Sequence, residues 1–526
     1  MRLFKSTTGR TAARSARIAG AALAGAAVAG CQGNKLTDVT TPDVVPPSST
    51  QTVAALPAVF NSAISEFTVA YAGSNGGGAA GNSNYGAIEG EILYAGLLGD
   101  EILLSDTFPT RREIDYRSTQ LTNANNDGVY RQLQIARQAA ERSAAAYASL
   151  SPNTASQAEA YALAGYTYLM FAENYCGNVP FSRLNADGTV AYDAGHTTTQ
   201  ILAIASAKFD SAITVATTVG SSAASQLNLA TIGKARTLVD QGQYAAAAQL
   251  TTQIPTTYAY TLYTSLNTTR QNNGIYSFNR SQRRFSVARN EGTNGLTYRG
   301  NSTISGNVDT VTKVDTVTID PRVLVVRGNG TTINGFDQSP LYVAVKYSEA
   351  TSPALLATGV EARLIEAEAA AAAGGYSAAS YATALTTLNT LRATTSLYAC
   401  PSGVTLSNFK CPAITSKALA PLTDPGSQKG RVLQLFQERA FWMYLTSHRL
   451  GDMRRLSRTG GGSAFAANGL SAYGDVTGGV GSVFPVGTYT PQPTVNYGTN
   501  TSLPVPYSEQ TSNPKYNAAA CDYNTP

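Results

Sequence analysis

Apolar residues recur at helical spacing through much of the chain. This periodicity predicts amphipathic helices, because positions three and four residues apart share one helix face. One of these helices carries the small residues Ala162 and Gly165 on a single face, which favours close approach of a neighbour. The four early stretches with this pattern run from Val53 to Tyr71, Asp127 to Ser149, Ala155 to Tyr175 and Thr199 to Thr217.

A short motif, G-x-Y-x-A-A, occurs at 242–247 and again at 374–379, each time between two alanine-rich helical patterns. A tetratricopeptide unit has this organisation, with two helices joined by a short turn, here a Gly-Tyr turn. The two copies are too far apart for a tandem array, so an insertion at about 255–353 must divide it. Within that insertion, Thr310 to Val326 and Leu341 to Tyr347 read as strands.

The stretch Gly430 to Arg458 is the predicted centre of the fold. Apolar residues lie on more than one helical face between Val432 and Leu445, so this helix must be covered on several sides. Further on, Asp452 has Arg449 and Arg455 three residues away on either side, which allows pairing within the helix. Two interpretations remain for these charges: a structural polar latch or a catalytic cluster.

Two segments resemble one protein family. The run ERAFWMYLTSHRLGDMRRL and the later run LPVPYSEQTSNPKY are similar to the signature helix and the C-terminal segment of the SusD/RagB family of outer-membrane nutrient-binding lipoproteins. The resemblance implies a mainly α, SusD-like fold with tetratricopeptide-like helix pairs, an irregular, partly β insertion and a loop-rich C-terminal region. A single domain is then expected at 51–526, with repeats at about 51–254 and 354–458 and the tail at 459–526.

The N-terminus predicts export. Residues 1–30 carry basic residues followed by an apolar run too short to span a bilayer, as in a secretory signal peptide. Small residues lead directly into Cys31, which resembles a bacterial lipobox and predicts acylation of that cysteine. An ordinary cleaved signal with a chance cysteine is the alternative. Residues 31–50 would form a lipidated tether, placing the protein on the outer membrane, facing outwards, through its lipid alone.

Charge argues against nucleic acid as a partner. The formal net charge is +5, but five basic residues and no acidic ones lie in the first 30 residues, so the exported chain is neutral. Nucleic-acid binding needs a cationic surface that displaces counterions. Two histidines and the absence of a C-x-x-C spacing give no reason to expect a metal, and no motif indicates a cofactor.

Four further cysteines remain for disulfides in an oxidising compartment. Three pairings are possible. Cys400 with Cys411 closes a short loop and is preferred, which leaves Cys176 with Cys521 to tie the C-terminus to an early helix.

Binding is easier to support than catalysis. The sequence has no G-x-S-x-G motif and no carboxylate pair placed for hydrolysis, and it holds 29 tyrosines that can stack on sugar or peptide faces. His196 lies in a loop and is expected to be solvated. In the SusD-like fold, loops of the early chain and the insertion build the ligand site. We therefore expect Tyr94–Tyr116 and Arg270–Arg299 to face each other, unless their arginines only make structural pairs. The candidate ligand-binding residues are Asp100, Arg111, Arg112, Tyr116, Tyr276, Asn279, Arg280 and Arg283.

The resemblance also implies a partner, a TonB-dependent β-barrel transporter of the SusC-like kind. The protein would bind an oligosaccharide or a peptide without cutting it and deliver it to that barrel. A single tryptophan argues against a starch-like ligand, since many glycan-binding members stack on tryptophan. An anchored or secreted hydrolase and a tetratricopeptide scaffold for envelope assembly are the alternatives.

Overall fold

Helices make up most of the structure, a computed structural model. The chain separates into two units, 1–52 and 53–526. The residues described are 51–76, 87–185, 189–289, 296–298, 320–328, 331–398, 418–457, 483–489 and 494–525. The predicted signal peptide, Cys31, the tether, the Cys400–Cys411 pair and most of the first predicted strand lie outside these residues.

The four predicted early helices are confirmed, each within a few residues of its predicted bounds. Side-chain caps explain where three of them begin, because Asn123, Thr154 and Thr197 each accept a backbone N–H of the first turn. The elements of this half are α1 (Leu56–Ala72), α2 (Glu91–Leu98), β1 (Ile102–Leu104), α3 (Pro109–Asp115), α4 (Ala124–Leu150), α5 (Ala155–Asn174), β2 (Arg183–Leu184), β3 (Val190–Ala191), α6 (Thr198–Val219), α7 (Ala224–Asp240) and α8 (Tyr244–Thr251).

The insertion is irregular and partly β, as predicted. Its elements are β4 (Ala259–Leu262), α9 (Gly274–Tyr276) with a π-helical turn at Ser277–Ser281, β5 (Phe285–Val287), β6 (Val325–Arg327), β7 (Tyr342–Ala344) and β8 (Ala354–Thr358). The strands pair antiparallel as β1–β5, β2–β3, β4–β8 and β6–β7. The β4–β8 pair joins the two ends of the insertion, so the helical array continues beyond it.

The second helical half comprises α10 (Gly359–Ala373), α11 (Ala378–Ala393), α12 (Gln428–Trp442) and α13 (Arg449–Ser457), followed by the short α14 (Tyr507–Ser512). Consecutive helices pack against each other from α4 to α8, and α8 packs on α10 across the insertion. Both copies of the G-x-Y-x-A-A motif form the predicted turn, between α7 and α8 and between α10 and α11.

Two helical stretches, 53–72 and 198–240, are long and apolar enough to cross a membrane by composition alone. The first packs its buried face, including Phe67, on α4. The second consists of α6 and α7, which pack against each other and enclose the Phe209 ring near Gly233. Both stretches therefore act as core helices of the array.

The stretch from Gly430 to Arg458 is not the single helix that was predicted. It forms α12 and α13, separated by a turn in which Leu445 and Ser447 adopt left-handed backbone angles of 48° and 60° in φ. Distant side chains bind the backbone of this turn. Glu101 accepts the Leu445 N–H at 2.9 Å, and the hydroxyls of Tyr347 and Tyr71 donate to the carbonyls of Leu445 and Thr446. These tertiary bonds replace helical ones and break the helix.

Beside this turn lies a buried ion network, which favours the structural latch over a catalytic cluster. Asp452 accepts bonds from Arg439 at 2.9 and 3.0 Å and from Arg455 at 2.6 Å, the latter being the pairing within the helix that was expected. Arg455 also binds Glu368 on α10 at 2.6 Å. The cavity among these groups has a volume of only about 10 Å³, which leaves no room for a substrate.

The predicted Cys176–Cys521 disulfide is present and joins the end of α5 to the C-terminal segment. The two segments also share backbone bonds, from the Cys176 N–H to the Leu503 carbonyl at 3.0 Å and from the Leu503 N–H to the Asn174 carbonyl at 2.8 Å. The loop-rich tail is thereby held against the helical array at 494–525.

Candidate functional site

The early chain and the insertion lie side by side at the strand pair β1–β5. Leu104 is opposite Phe285, and the pairing continues as the Ser105 N–H donates to the Arg284 carbonyl at 2.8 Å. The Ser105 hydroxyl also donates to the Arg283 carbonyl at 2.9 Å. The structure thus brings the two predicted stretches together and sets the loop after β1 beside the loop before β5.

Arg111 lies in a buried network beneath this junction. Its guanidinium group donates to Glu89 and to Asp106, each at 2.7 Å, and Asp106 also accepts a bond from Arg284 at 2.6 Å. Burial raises the pKa of Glu89, although Arg111 opposes the shift. Since arginines occupy these carboxylates, the network holds the loops in place and has no free acid–base pair. Arg111 and Arg112 also lie on the short helix α3, not in the loop that was predicted.

Above the network is a partly exposed surface that we name the Phe–Arg platform, consisting of Phe108, Arg284 and Phe336. The two rings are 47% and 42% exposed. The Arg284 guanidinium lies 5.3 Å from the Phe108 ring centre and 3.7 Å from that of Phe336, within cation–π range. Arg111 lies 4.9 Å from the Phe108 ring. Such a platform can stack on the apolar faces of sugars or peptide side chains.

Tyr116 flanks the same region. Its half-buried ring contacts Tyr489 with centroids 4.6 Å apart. Burial raises the pKa of Tyr116, and the nearby carboxylates of Asp115 and Asp337 add to this shift. The charge of Arg112 opposes it. Asp337 follows Phe336 and donates its backbone N–H to the Ser105 carbonyl at 3.2 Å. Side chains of both positive and negative charge therefore border the aromatic surface.

The remaining candidates occupy different environments. Arg283 has a φ of 59° and donates to the Asn334 carbonyl at 3.1 Å, which places it beside the loop that carries Phe336. Arg280 donates to the Ser348 carbonyl and lies 3.5 Å from Glu349. Tyr276 is half-buried at the end of α9.

Asp100 and Asn279 are buried, which corrects the expectation that they present their side chains to a ligand. The Asn279 amide donates to the carbonyls of Phe285 and Tyr342 and accepts the Ala344 N–H at 2.9 Å, so it joins β5 to β7. Asp100 accepts a bond from the Tyr497 hydroxyl at 3.1 Å. Both side chains hold loops together.

Sequence reasoning missed both rings of the platform. Phe108 stands in the segment Asp106-Thr107-Phe108-Pro109, and Phe336 stands between Gly335 and Asp337. An aromatic residue with no apolar neighbours in a turn-forming segment is a usable signal, because no helical or strand face is available to bury it. Only the fold, however, brings the two segments together.

Among the carboxyl groups with raised pKa values, Glu91 and Asp115 lie on the early chain near this site. Burial raises the pKa of Glu91 to about 8 and that of Asp115 to about 7. Such shifts can mark acid–base catalysts. Here both side chains are fully buried, and each is bound by a tyrosine hydroxyl, Glu91 by Tyr175 and Asp115 by Tyr489. Their position indicates a structural role.

Glu91 gives a pH-dependent prediction. Its pKa is higher in the folded chain than the ordinary 4.5, so the folded state keeps a proton that the unfolded state loses as pH rises. Stability should therefore fall by about 2 kcal/mol between pH 4.5 and pH 6 through this group. Glu91→Gln removes the titration and should flatten the fall. Urea midpoints across this pH range test it, with the exposed Glu349→Gln as control; parallel curves for Glu91→Gln and wild type would refute it.

The stacked helix pairs with an inserted, loop-rich layer define a helical-repeat protein. No family model matches the sequence, and no curated protein matches it. The structure matches a SusD superfamily protein from Parabacteroides distasonis ATCC 8503, with a TM-score of 0.55 and 11% identity over 88% of this chain and 98% of that one. A SusD-like carbohydrate binding protein from Bacteroides fragilis NCTC 9343 matches with a TM-score of 0.53 and 12% identity, over 88% and 99% of the two chains.

A third similar structure is a SusD superfamily protein from Bacteroides thetaiotaomicron VPI-5482. It matches with a TM-score of 0.50 and 14% identity, over 89% of this chain and 98% of that one. The chain therefore has a SusD-like fold, and the fold implied by the two sequence segments is confirmed.

Proposed function

We propose that this protein binds an oligosaccharide without cleaving it, and that the Phe–Arg platform is the contact surface. The observation that carries the proposal is the exposure of the Phe108 and Phe336 rings on either side of Arg284, whose guanidinium is held from below by Asp106. The SusD-like carbohydrate binding protein from B. fragilis, which has the same fold, supports a saccharide over a peptide.

A hydrolase is the less supported alternative. Glycoside hydrolysis needs two carboxyl groups on opposite sides of the scissile bond. Among the described residues at this site, Glu89 and Asp106 are buried and paired with Arg111 at 2.7 Å. Neither is free to act on a ligand that stacks on the rings above. A binding role needs none of these groups to change its protonation.

We further propose that the protein acts at the cell surface. Acylation at Cys31 would anchor the protein to the outer membrane, and a TonB-dependent β-barrel of the SusC-like kind would receive the ligand. The lipobox-like sequence and the SusD-like fold support both steps. Cross-linking on intact cells, followed by purification of this protein, should recover a barrel partner. A Cys31→Ser strain is the control. If wild-type cells, like that strain, yield this protein without a barrel partner, the anchored complex is contradicted.

Removing the two rings should weaken binding. In Phe108→Ala/Phe336→Ala, loss of stacking is expected to reduce affinity for a captured oligosaccharide about tenfold, equivalent to about 1.4 kcal/mol. A glycan array identifies the ligand, and isothermal titration calorimetry then compares wild type and variant. Tyr507→Ala, which removes a ring of similar exposure elsewhere, is the matched control and should bind normally. Equal affinity of the double variant, with an intact far-UV spectrum, would discard the platform.

A further inference from the structure

A second concave surface lies on the helical array and shares no residue with the Phe–Arg platform. We name it the hairpin groove, because the β2–β3 hairpin forms one wall while α4, α5 and α6 form the others. Its volume is about 590 Å³, in the range of small-ligand pockets. The hairpin base is fixed to α4, since Arg137 donates to the Ser182 carbonyl at 2.8 Å and Gln134 to the Pro180 carbonyl at 2.9 Å.

The floor of the groove combines aromatic rings and cations. The Phe181 ring lies 5.4 Å from the Arg137 guanidinium and is stacked on the His196 imidazole with centroids 5.4 Å apart. His196 also binds Asp193 at 2.7 Å, so the expectation that this histidine is simply solvated is wrong. The Tyr168 ring meets Phe181 edge-on, with centroids 4.7 Å apart. The floor is therefore rigid and built from several elements.

The two carboxylates of the groove already have hydrogen-bond partners within it. Glu141 accepts bonds from Arg137 and Lys208, each at 2.8 Å. Burial alone would raise its pKa, but these two cations outweigh burial and hold the pKa of Glu141 below its ordinary value. Asp193 is bound by His196 and by the Phe181 N–H at 2.7 Å. Both carboxylates therefore already have partners inside the groove, and Glu141 has two cations.

Two exposed arginines leave the groove cationic. Arg183 on β2 and Arg142 on α4 both line it, and Arg142 binds only the neutral amide of Gln138 among the contacts of the described residues. Four cationic side chains thus line the groove with two carboxylates, an excess of two positive charges (4 − 2). The excess is local, because the exported chain as a whole is neutral. Leu184 and Tyr192, 51% and 37% exposed, add apolar and aromatic surface to the rim.

We propose that the hairpin groove is a second binding site, specific for an acidic saccharide that carries carboxylate or sulfate groups. Guanidinium groups bind these anions through paired hydrogen bonds, and a tyrosine ring can stack on a pyranose face. The arrangement pairs both kinds of group across one concave surface. A neutral saccharide would leave Arg142 and Arg183 without an anionic partner and should bind more weakly.

Two probes test the site with the purified full chain: trigalacturonate for carboxylate, and a heparin-derived tetrasaccharide for sulfate. Wild type should bind at least one of them by calorimetry, more weakly as salt increases. Arg142→Gln/Arg183→Gln should reduce that affinity at least tenfold. Arg131→Gln, an exposed arginine elsewhere on α4 that pairs with Asp127, is the control and should leave it unchanged. Carboxyl-reduced trigalacturonate should bind at least tenfold more weakly than the acid form.

The proposal is overturned if wild type binds neither acidic probe, if the double variant binds as wild type does, or if triglutamate competes as well as the acidic saccharide. Phe108→Ala/Phe336→Ala separates the two sites. This variant should keep its affinity for the acidic probe, whereas an equal loss would place acidic saccharides on the Phe–Arg platform and overturn the second site.

Discussion

Replacing Arg455 with methionine is expected to lower the free energy of unfolding by about 3–5 kcal/mol. The Arg455 side chain is fully buried and binds Glu368 and Asp452, each at 2.6 Å. Methionine has a side chain of similar length, but it removes the guanidinium that lies 5.3 Å from the Phe436 ring and leaves both carboxylates buried with less positive charge. The loss is large because an uncompensated buried charge costs more than the pair contributes.

Urea unfolding followed by the fluorescence of Trp442, the single tryptophan, measures this effect. Arg131→Met is the matched control, because Arg131 is 48% exposed and makes a similar 2.8 Å pair with Asp127 on the surface. Its cost should stay below about 1 kcal/mol. Equal midpoints for the two variants would mean that the buried network does not hold α10, α12 and α13 together.

Removing the Cys176–Cys521 disulfide is the second large effect. The bond closes a loop with a sequence separation of 345 residues. Its loss therefore raises the conformational entropy of the unfolded state. We expect Cys176→Ser/Cys521→Ser to cost about 2–5 kcal/mol. The C-terminal segment should also become more sensitive to protease, because only non-covalent contacts, such as the bond from the Leu503 N–H to the Asn174 carbonyl, would then hold it.

Limited proteolysis and urea midpoints, with and without a reducing agent, give the test. Reduction should shift the wild-type midpoint towards that of the double variant, and it should change the double variant much less, because only the predicted short Cys400–Cys411 loop would remain to be opened. If the serine variant keeps the wild-type midpoint and its C-terminal fragment resists protease, the disulfide is not what secures the tail.

Helix periodicity predicted most of the helical array, because the buried faces of α1, α4, α5 and α6 repeat at local spacing. The break between α12 and α13 could not be predicted in this way. No glycine or proline stops the helix at Met443, and distant side chains, those of Glu101, Tyr347 and Tyr71, bind the backbone of the turn. Tertiary contacts override local propensity there.

The candidate site was predicted at the level of chain segments better than of side chains. Tyr94–Tyr116 and Arg270–Arg299 do meet, through β1 and β5. Asn279 was predicted to contact ligand, but its side-chain amide is hydrogen-bonded to three backbone groups. Phe336 lies outside both predicted stretches. Sequence alone does not distinguish a polar side chain that binds the backbone of other residues from one that faces solvent, because burial depends on the whole fold.

Intact recovery of bound ligand tests the central claim, that this SusD-like fold captures a saccharide without cutting it. Purified protein is dialysed against neutral and acidic oligosaccharides, and mass spectrometry reads both compartments at equilibrium and a day later. The account predicts enrichment of at least one oligosaccharide on the protein side, with its mass unchanged. Shorter sugars that accumulate with active but not with heat-treated protein would contradict it.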